Sequence, residues 1–254
     1  MSKLPETHRF IDLSDYGRPV AIVIAKMLKS TSVTPVHVTI WFIVAGLLAI
    51  LCIIFGYYWY ALALLMTKSI LDAADGELAR VKNIPSYTGR YLDSVADLLL
   101  NLLIFLALWR ISDSYLINAL LAFGAVQLQG TLYNYYYVIL RNRFNGDKTS
   151  RVAESHVPIA MPGETQKTVT ILYHIYNFLY IIFDKTIYWL DPMASDGKIF
   201  PNWFMTMLST MGLGFQLLLI GVMLALGWKE YIVTFFLAYS ILVFVLILIR
   251  RVFF

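Results

Sequence analysis

Four aspartates interrupt a chain that is otherwise mostly apolar. They are Asp72, Asp75, Asp93 and Asp97, within DAADGELARVKNIPSYTGRYLDSVAD, residues 72–97. Asp72, Asp75, Gly76, Ala79 and Arg80 fall at i, i+3, i+4, i+7 and i+8, the spacing of one helix face. Gly89, Asp93 and Asp97 fall at i, i+4 and i+8 and share a face of a second helix. Between them Asn83-Ile84-Pro85 predicts a turn, since the residue before a proline favours extended backbone. A short turn makes the two helices antiparallel neighbours, and their faces can bring the four carboxylates together.

Four like charges in a poorly hydrated place repel or protonate unless a cation sits among them. Carboxylate oxygens suit Mg²⁺, Mn²⁺ or Ca²⁺ better than zinc, and no Cys/His cluster argues otherwise. Four carboxylates can hold two ions, which in two-metal sites clamp a phosphoryl group. Gly76, Ala79 and Gly89 leave room for a ligand beside the acidic faces, although close helix packing is the plainer use of small residues. Arg80 offers a planar fork of donors that suits phosphate. The plainer reading of the aspartates is caps or salt bridges to Lys68, Arg80 or Arg90. It accounts for one or two aspartates better than for four on converging faces.

These faces belong to a membrane protein. Of 254 residues 59% are hydrophobic and 14% charged, where a soluble domain carries about a quarter charged residues. Apolar runs predict spans at about 36–58, 59–81, 86–111, 115–140, 203–227 and 230–249. Residues 14–30 mix apolar residues with Arg18, Lys26 and Lys29 and read as an amphipathic helix at the interface. Lys82, Arg141, Arg143, Arg250 and Arg251 mark cytoplasmic ends by the positive-inside rule. An even number of crossings must then separate residues 143 and 250, so the aromatic-rich segment 168–190 is expected to lie in the interface rather than cross. The expectation is an all-α polytopic protein with six transmembrane helices and an N-terminal interfacial helix. Residues 1–35 form the cytoplasmic or interfacial segment and 36–254 the membrane domain, with a cytoplasmic loop and interfacial helix over 141–200. The N-terminus lacks the layout of a signal peptide, and Cys52 stands alone in an apolar run. A net charge of +4 with no basic stripe gives no sign of nucleic acid binding.

Asp72-x-x-Asp75-Gly76-x-x-Ala79-Arg80, eight residues, then Gly89-x-x-x-Asp93-x-x-x-Asp97 resembles the motif of the CDP-alcohol phosphotransferase (CDP-alcohol phosphatidyltransferase) family at every position. A looser resemblance runs over the first four spans, including Thr34-Pro35-x-x-Val38-Thr39. The resemblance implies six membrane helices, a homodimer and a divalent-metal site facing the cytoplasm of a bacterial-type inner membrane or its equivalent. It implies a reaction of phospholipid biosynthesis, in which an acceptor hydroxyl attacks the β-phosphorus of a CDP-linked donor and releases CMP. Asp72, Asp75 and Asp93 resemble ligands of Mg²⁺ or Mn²⁺, with Asp97 as general base, near or on a second ion. Gly76, Ala79, Arg80 and Gly89 resemble the lining of the CDP pocket.

The family has two branches. One transfers phosphatidyl from CDP-diacylglycerol to a small alcohol, the reading preferred here. The other transfers from CDP-choline or CDP-ethanolamine to diacylglycerol. An acceptor bearing phosphate needs further cations, for which Arg141, Arg143, Lys148, Arg151 and Lys167 are candidates, though membrane anchoring explains them more simply. His156 and His174 are candidates for an acceptor site. Asn101, Gln127, Gln129 and Asn134 read as helix–helix hydrogen bonding. A cation transporter is the rival class, and it predicts carboxylates strung along a path rather than gathered at one end.

Overall fold

Turn chemistry sets the helix boundaries in the computed structural model, which describes residue 4, residues 8–144 and residues 156–254. A 3-10 turn at Leu13–Asp15 precedes α1 (Arg18–Leu28). Thr34 starts α2 (Pro35–Ile54), where its backbone N–H donates to His37 Nδ1 at 3.0 Å. Gly56, at φ 79°, turns the chain into α3 (Tyr58–Lys82). Asn83 ends α3 in the left-handed region at φ 55°, which asparagine tolerates better than most residues. Ser86 then opens α4 (Tyr87–Ile111), its Oγ accepting from Gly89 N–H at 2.8 Å. The remaining helices are α5 (Leu116–Arg143), α6 (Gln166–Leu190), α7 (Asn202–Ser209), α8 (Leu213–Ala225), α9 (Ile232–Tyr239) and α10 (Ile241–Phe253). The described residues contain no strand.

Pro35–Ile54, Tyr87–Ile111, Leu116–Arg143 and Lys229–Phe253 are long and apolar enough to cross a membrane. The α7–α8 pair, bent by 48°, makes a fifth such span if taken as one. The protein is therefore an integral membrane protein. α3 is as long as α4, but Lys68, Asp72, Asp75, Glu77, Arg80 and Lys82 keep it out of this set. The two C-terminal spans expected to be continuous are each broken, at 210–212 and at Ser240.

The N-terminal segment fills the first of these breaks. Leu13 N–H donates to Ser209 Oγ at 2.9 Å and Gly214 N–H to Ser14 Oγ at 3.2 Å. A Cβ on Gly214 would stand 1.9 Å from the Ser14 carbonyl oxygen, so only glycine allows this approach. Next to it α1 buries Ala21 and Ala25 against Ala74 and Leu78 of α3, and leaves Val20, Val23 and Met27 exposed.

Both ends of α6 are held at the same end of the bundle. Just before it, Glu164 accepts from Ser86 Oγ at 2.7 Å, from Thr88 N–H at 2.6 Å and from Tyr87 N–H at 3.2 Å. It thereby serves the free amides at the start of α4. Just after α6, buried Asp191 pairs with Arg250 at the end of α10 and accepts from Tyr136 Oη at 2.5 Å. The end of α5 and the start of α4 lie at one end because the 112–115 turn joins their other ends. Midway, Tyr180 Oη donates to the Ser94 carbonyl at 2.8 Å. Ile171, Ile175, Phe178, Ile182 and Trp189 form an exposed apolar stripe on the outer face.

Burial pushes the Glu164 carboxyl up, but hydrogen bonds from Ser86, Thr88 and Met161 outweigh it and hold it below its ordinary value. Its contribution is therefore complete above the ordinary glutamate pKa of about 4.3 and lost as the pH falls through the lowered native value. Glu164→Ala is expected to destabilise the protein by about 1 kcal/mol at pH 7, the scale of a lost helix cap. Thermal unfolding in detergent should show the gap from wild type closing below pH ~4. A gap that persists undiminished at pH 3 would refute the charge-assisted clasp.

Candidate active site

The two predicted acidic faces meet. Oxygens of Asp72, Asp75 and Asp93 lie within 4.8 Å of one another and could hold a metal ion. Asp75 is buried and accepts from Thr39 Oγ1 of α2 at 2.7 Å. Thr39 stands in the stretch that starts the first span, and its role as a support for the cluster is not readable from spacing. Asp93 Oδ1 is buried with no hydrogen-bond partner.

Asp97 sits apart from the three. Its Oδ1 forms an ion pair with Lys68, whose Nζ is also 3.2 Å from Asp72 Oδ2 and 4.8 Å from the centre of the Phe42 ring. Lys68 is only 2% exposed, so it is committed to the carboxylates rather than reaching for solvent. One lysine faces four carboxyl groups, so the site has fewer cations than acidic groups. All-oxygen donors, one of them buried and orphaned, with a deficit of positive charge, fit a hard divalent cation.

The carboxylates form one wall of a cleft of about 400 Å³. Gly76 and Arg80 line it on the same side. A Cβ on Gly76 would stand 3.7 Å from both Nη1 and Nη2 of Arg80, so the bare glycine leaves space beside the guanidinium. Asp12, Ser14, Asp15 and Arg18 of the N-terminal segment line the cleft too, with Tyr133, Tyr137 and Arg141 of α5, and Tyr176, Tyr180 and Asp184 of α6. Asp12 accepts from Tyr133 Oη, and burial keeps its carboxyl above the ordinary range in spite of that bond. Nothing in the polar N-terminal sequence marks these residues as part of the cleft.

Ala79 and Gly89 are not among the lining residues. The Ala79 carbonyl accepts from Ile84 N–H at 3.0 Å and closes the end of α3, while Gly89 serves the Ser86 cap. Among the described candidate cations only Arg141 reaches the cleft, 4.7 Å over the Tyr137 ring. Arg143 donates to the carbonyls of Ser195 and Gly197, and Lys167 is exposed outside the lining. Lys148 and Arg151 lie outside the described residues. His156 and His174 are exposed and line no part of the cleft. Asn101, Gln127 and Asn134 line it, whereas Gln129 bonds Ser240 Oγ at 2.9 Å and accepts from Gln216 at 3.0 Å, as helix–helix bonding predicts.

One further residue escapes the sequence reading. Glu77, 3% exposed, stands behind the cleft and holds two of its arginines, Arg18 through Oε1 at 3.0 Å and Arg80 through Oε1 at 2.8 Å and Oε2 at 3.3 Å. Its spacing of i, i+3 to Arg80 is the one signal that could find it.

A family model, CDP-alcohol phosphatidyltransferase, matches residues 24–253, a range that contains all four aspartates. A search of curated proteins finds no match.

Proposed function

The chain belongs to the CDP-alcohol phosphatidyltransferase family, and from that premise we propose that it is a metal-dependent transferase using CDP-diacylglycerol. Membership makes it a membrane phosphotransferase of phospholipid synthesis. The proposal adds that the substituted phosphate passes from the CDP-linked donor to an alcohol hydroxyl, with CMP released. The observation that carries it is a three-carboxylate cluster, an adjoining Lys68–Asp97 pair and Arg80 in one cleft.

Asp72, Asp75 and Asp93 would hold Mg²⁺ or Mn²⁺, and Asp97, joined to Asp72 through Lys68, would stand near or on a second ion. A bound divalent ion would neutralise the diphosphate and the charge that develops on CMP. Asp97, outside the cluster, takes the proton from the acceptor hydroxyl as its oxygen bonds to the β-phosphorus. The bond from that phosphorus to the bridging oxygen breaks, and the electron pair leaves with CMP. Lys68 holds Asp97 oriented for this task. Arg80 offers donors to the diphosphate, Gly76 leaves space beside them, and Ala79 and Gly89 shape the helix ends that carry the pocket.

Six crossings suit this reading: α2, α3, α4, α5, the α7–α8 pair and the α9–α10 pair. α6, tied twice to one end with an apolar stripe outward, fits an interfacial helix. α1, with Val20, Val23 and Met27 exposed beside Lys26, fits the same plane. Lys82, Arg143, Arg250 and Arg251 support a cytoplasmic position for the cleft end by the positive-inside rule. Residues 1–35 then serve as the interfacial segment of one membrane domain over 36–254, working as a homodimer.

The test is CMP release by the purified protein with Mg²⁺ or Mn²⁺ and a panel of donors and acceptors. Metal-dependent CMP from CDP-diacylglycerol and a small alcohol is expected. CMP only from CDP-choline or CDP-ethanolamine with diacylglycerol would replace the donor, and none from any pair would overturn the transferase reading.

A further inference from the structure

We propose that Glu77 is a positioning residue for the donor diphosphate, acting through Arg80. This rests on the transferase reading above. Glu77 takes one edge of the Arg80 guanidinium, Nε at 3.3 Å and Nη2 at 2.8 Å, in a two-point grip. Such a grip fixes the plane of the fork. Nη1, which no described group hydrogen-bonds, is left on the free edge beside Gly76, where the cleft is open. Glu77 itself is buried and is not among the lining residues, so it does not touch substrate.

The grip is anchored from the far side. Arg18 of α1 donates to Glu77 Oε1 at 3.0 Å and is itself ion-paired with Asp15. Asp15, Arg18, Glu77 and Arg80 thus form an alternating chain of charges that runs from the N-terminal segment to the phosphate-facing arginine. Two positive and two negative groups balance, so Arg80 can offer its free edge without an excess of positive charge behind it. A buried carboxylate is a costly way to pack a helix, and an apolar residue of similar size would serve packing as well or better. The motif position two before Ala79 therefore carries a charge for a reason other than packing.

Glu77→Gln keeps the shape and loosens the grip. It is expected to raise KM for the CDP-linked donor about tenfold and to leave kcat and the acceptor KM within about twofold. The Mn²⁺ concentration for half-maximal rate should not move, because the carboxylate cluster is untouched. Glu77→Asp should restore part of the donor KM. Arg80→Ala should raise donor KM further, and the double variant should be no worse than Arg80→Ala alone, as expected for residues acting as one unit. Independent losses in the double variant, or a Glu77→Gln enzyme with lowered melting temperature and unchanged donor KM, would overturn the proposal. If Glu77→Gln does not fold, Arg18→Gln leaves α3 intact and should raise donor KM about threefold; no change would overturn it equally. Equilibrium titration of CDP onto the full-length protein gives the same comparison without turnover. Absent CMP release in wild type sinks the transferase reading, whereas unchanged CDP affinity in Glu77→Gln sinks this inference.

Discussion

Asp97→Asn is expected to cut kcat for CMP release by at least about 10²-fold, the lower end of what a general base contributes. Asparagine matches aspartate in size but cannot take a proton from the acceptor hydroxyl. The Asp72, Asp75 and Asp93 cluster does not include Asp97, so Mn²⁺ binding at that cluster and donor KM should stay close to wild type. Lys68 keeps Asp72 as a partner and is not left bare by the change. A melting temperature near that of wild type together with lost turnover separates catalysis from folding. A variant with kcat within threefold of wild type would remove Asp97 from the role of base.

The second large effect is expected at Asp93. Its Oδ1 is buried without a hydrogen-bond partner and faces two further carboxylates. Asp93→Asn removes one negative charge from a group that repels itself while no metal is bound. The metal-free variant should therefore melt at a higher temperature than metal-free wild type. Added Mn²⁺ should reverse the order, because binding to the folded state stabilises in proportion to RT ln(1 + [L]/Kd). Wild type should gain strongly and the variant little, with CMP release near background. Mn²⁺ binding can be followed by electron paramagnetic resonance without turnover. Equal stabilisation of both proteins by Mn²⁺ would show that Asp93 is not a ligand.

The acidic faces are legible in the sequence because helical spacing alone puts Asp72 with Asp75 and Asp93 with Asp97. Asn83-Ile84-Pro85 then leaves little choice about how the helices turn. The starts of α2 and α4 follow from Pro35 and Ser86, whereas the expected first span of 36–58 runs past the Gly56 turn that follows the end of α2 at Ile54. The cleft beyond the carboxylates is a different matter. Asp12 reaches it by packing near Tyr133, 121 positions away, and no local pattern encodes that pairing. Glu77 sits on the flank of the acidic face rather than on it, so periodicity passes it over. The breaks in the last two spans are hidden for the opposite reason. Hydropathy stays high through 203–227 and 230–249, while at the first break Gly214 and Ser14 meet in a close backbone approach that hydropathy does not register.

The N-terminal segment also dictates a timetable. Residues 12–15 are synthesised well before residues 209–214, yet Leu13 bonds Ser209 and Ser14 packs on Gly214. A growing chain inserted as far as α5 would already hold all four aspartates, with one side of their cleft still missing. The cleft closes only after the α7–α8 pair enters the bilayer and the earlier-made 12–15 segment swings back into its bend. A chain stalled before residue 209 would thus carry the four aspartates without the enclosure of their cleft.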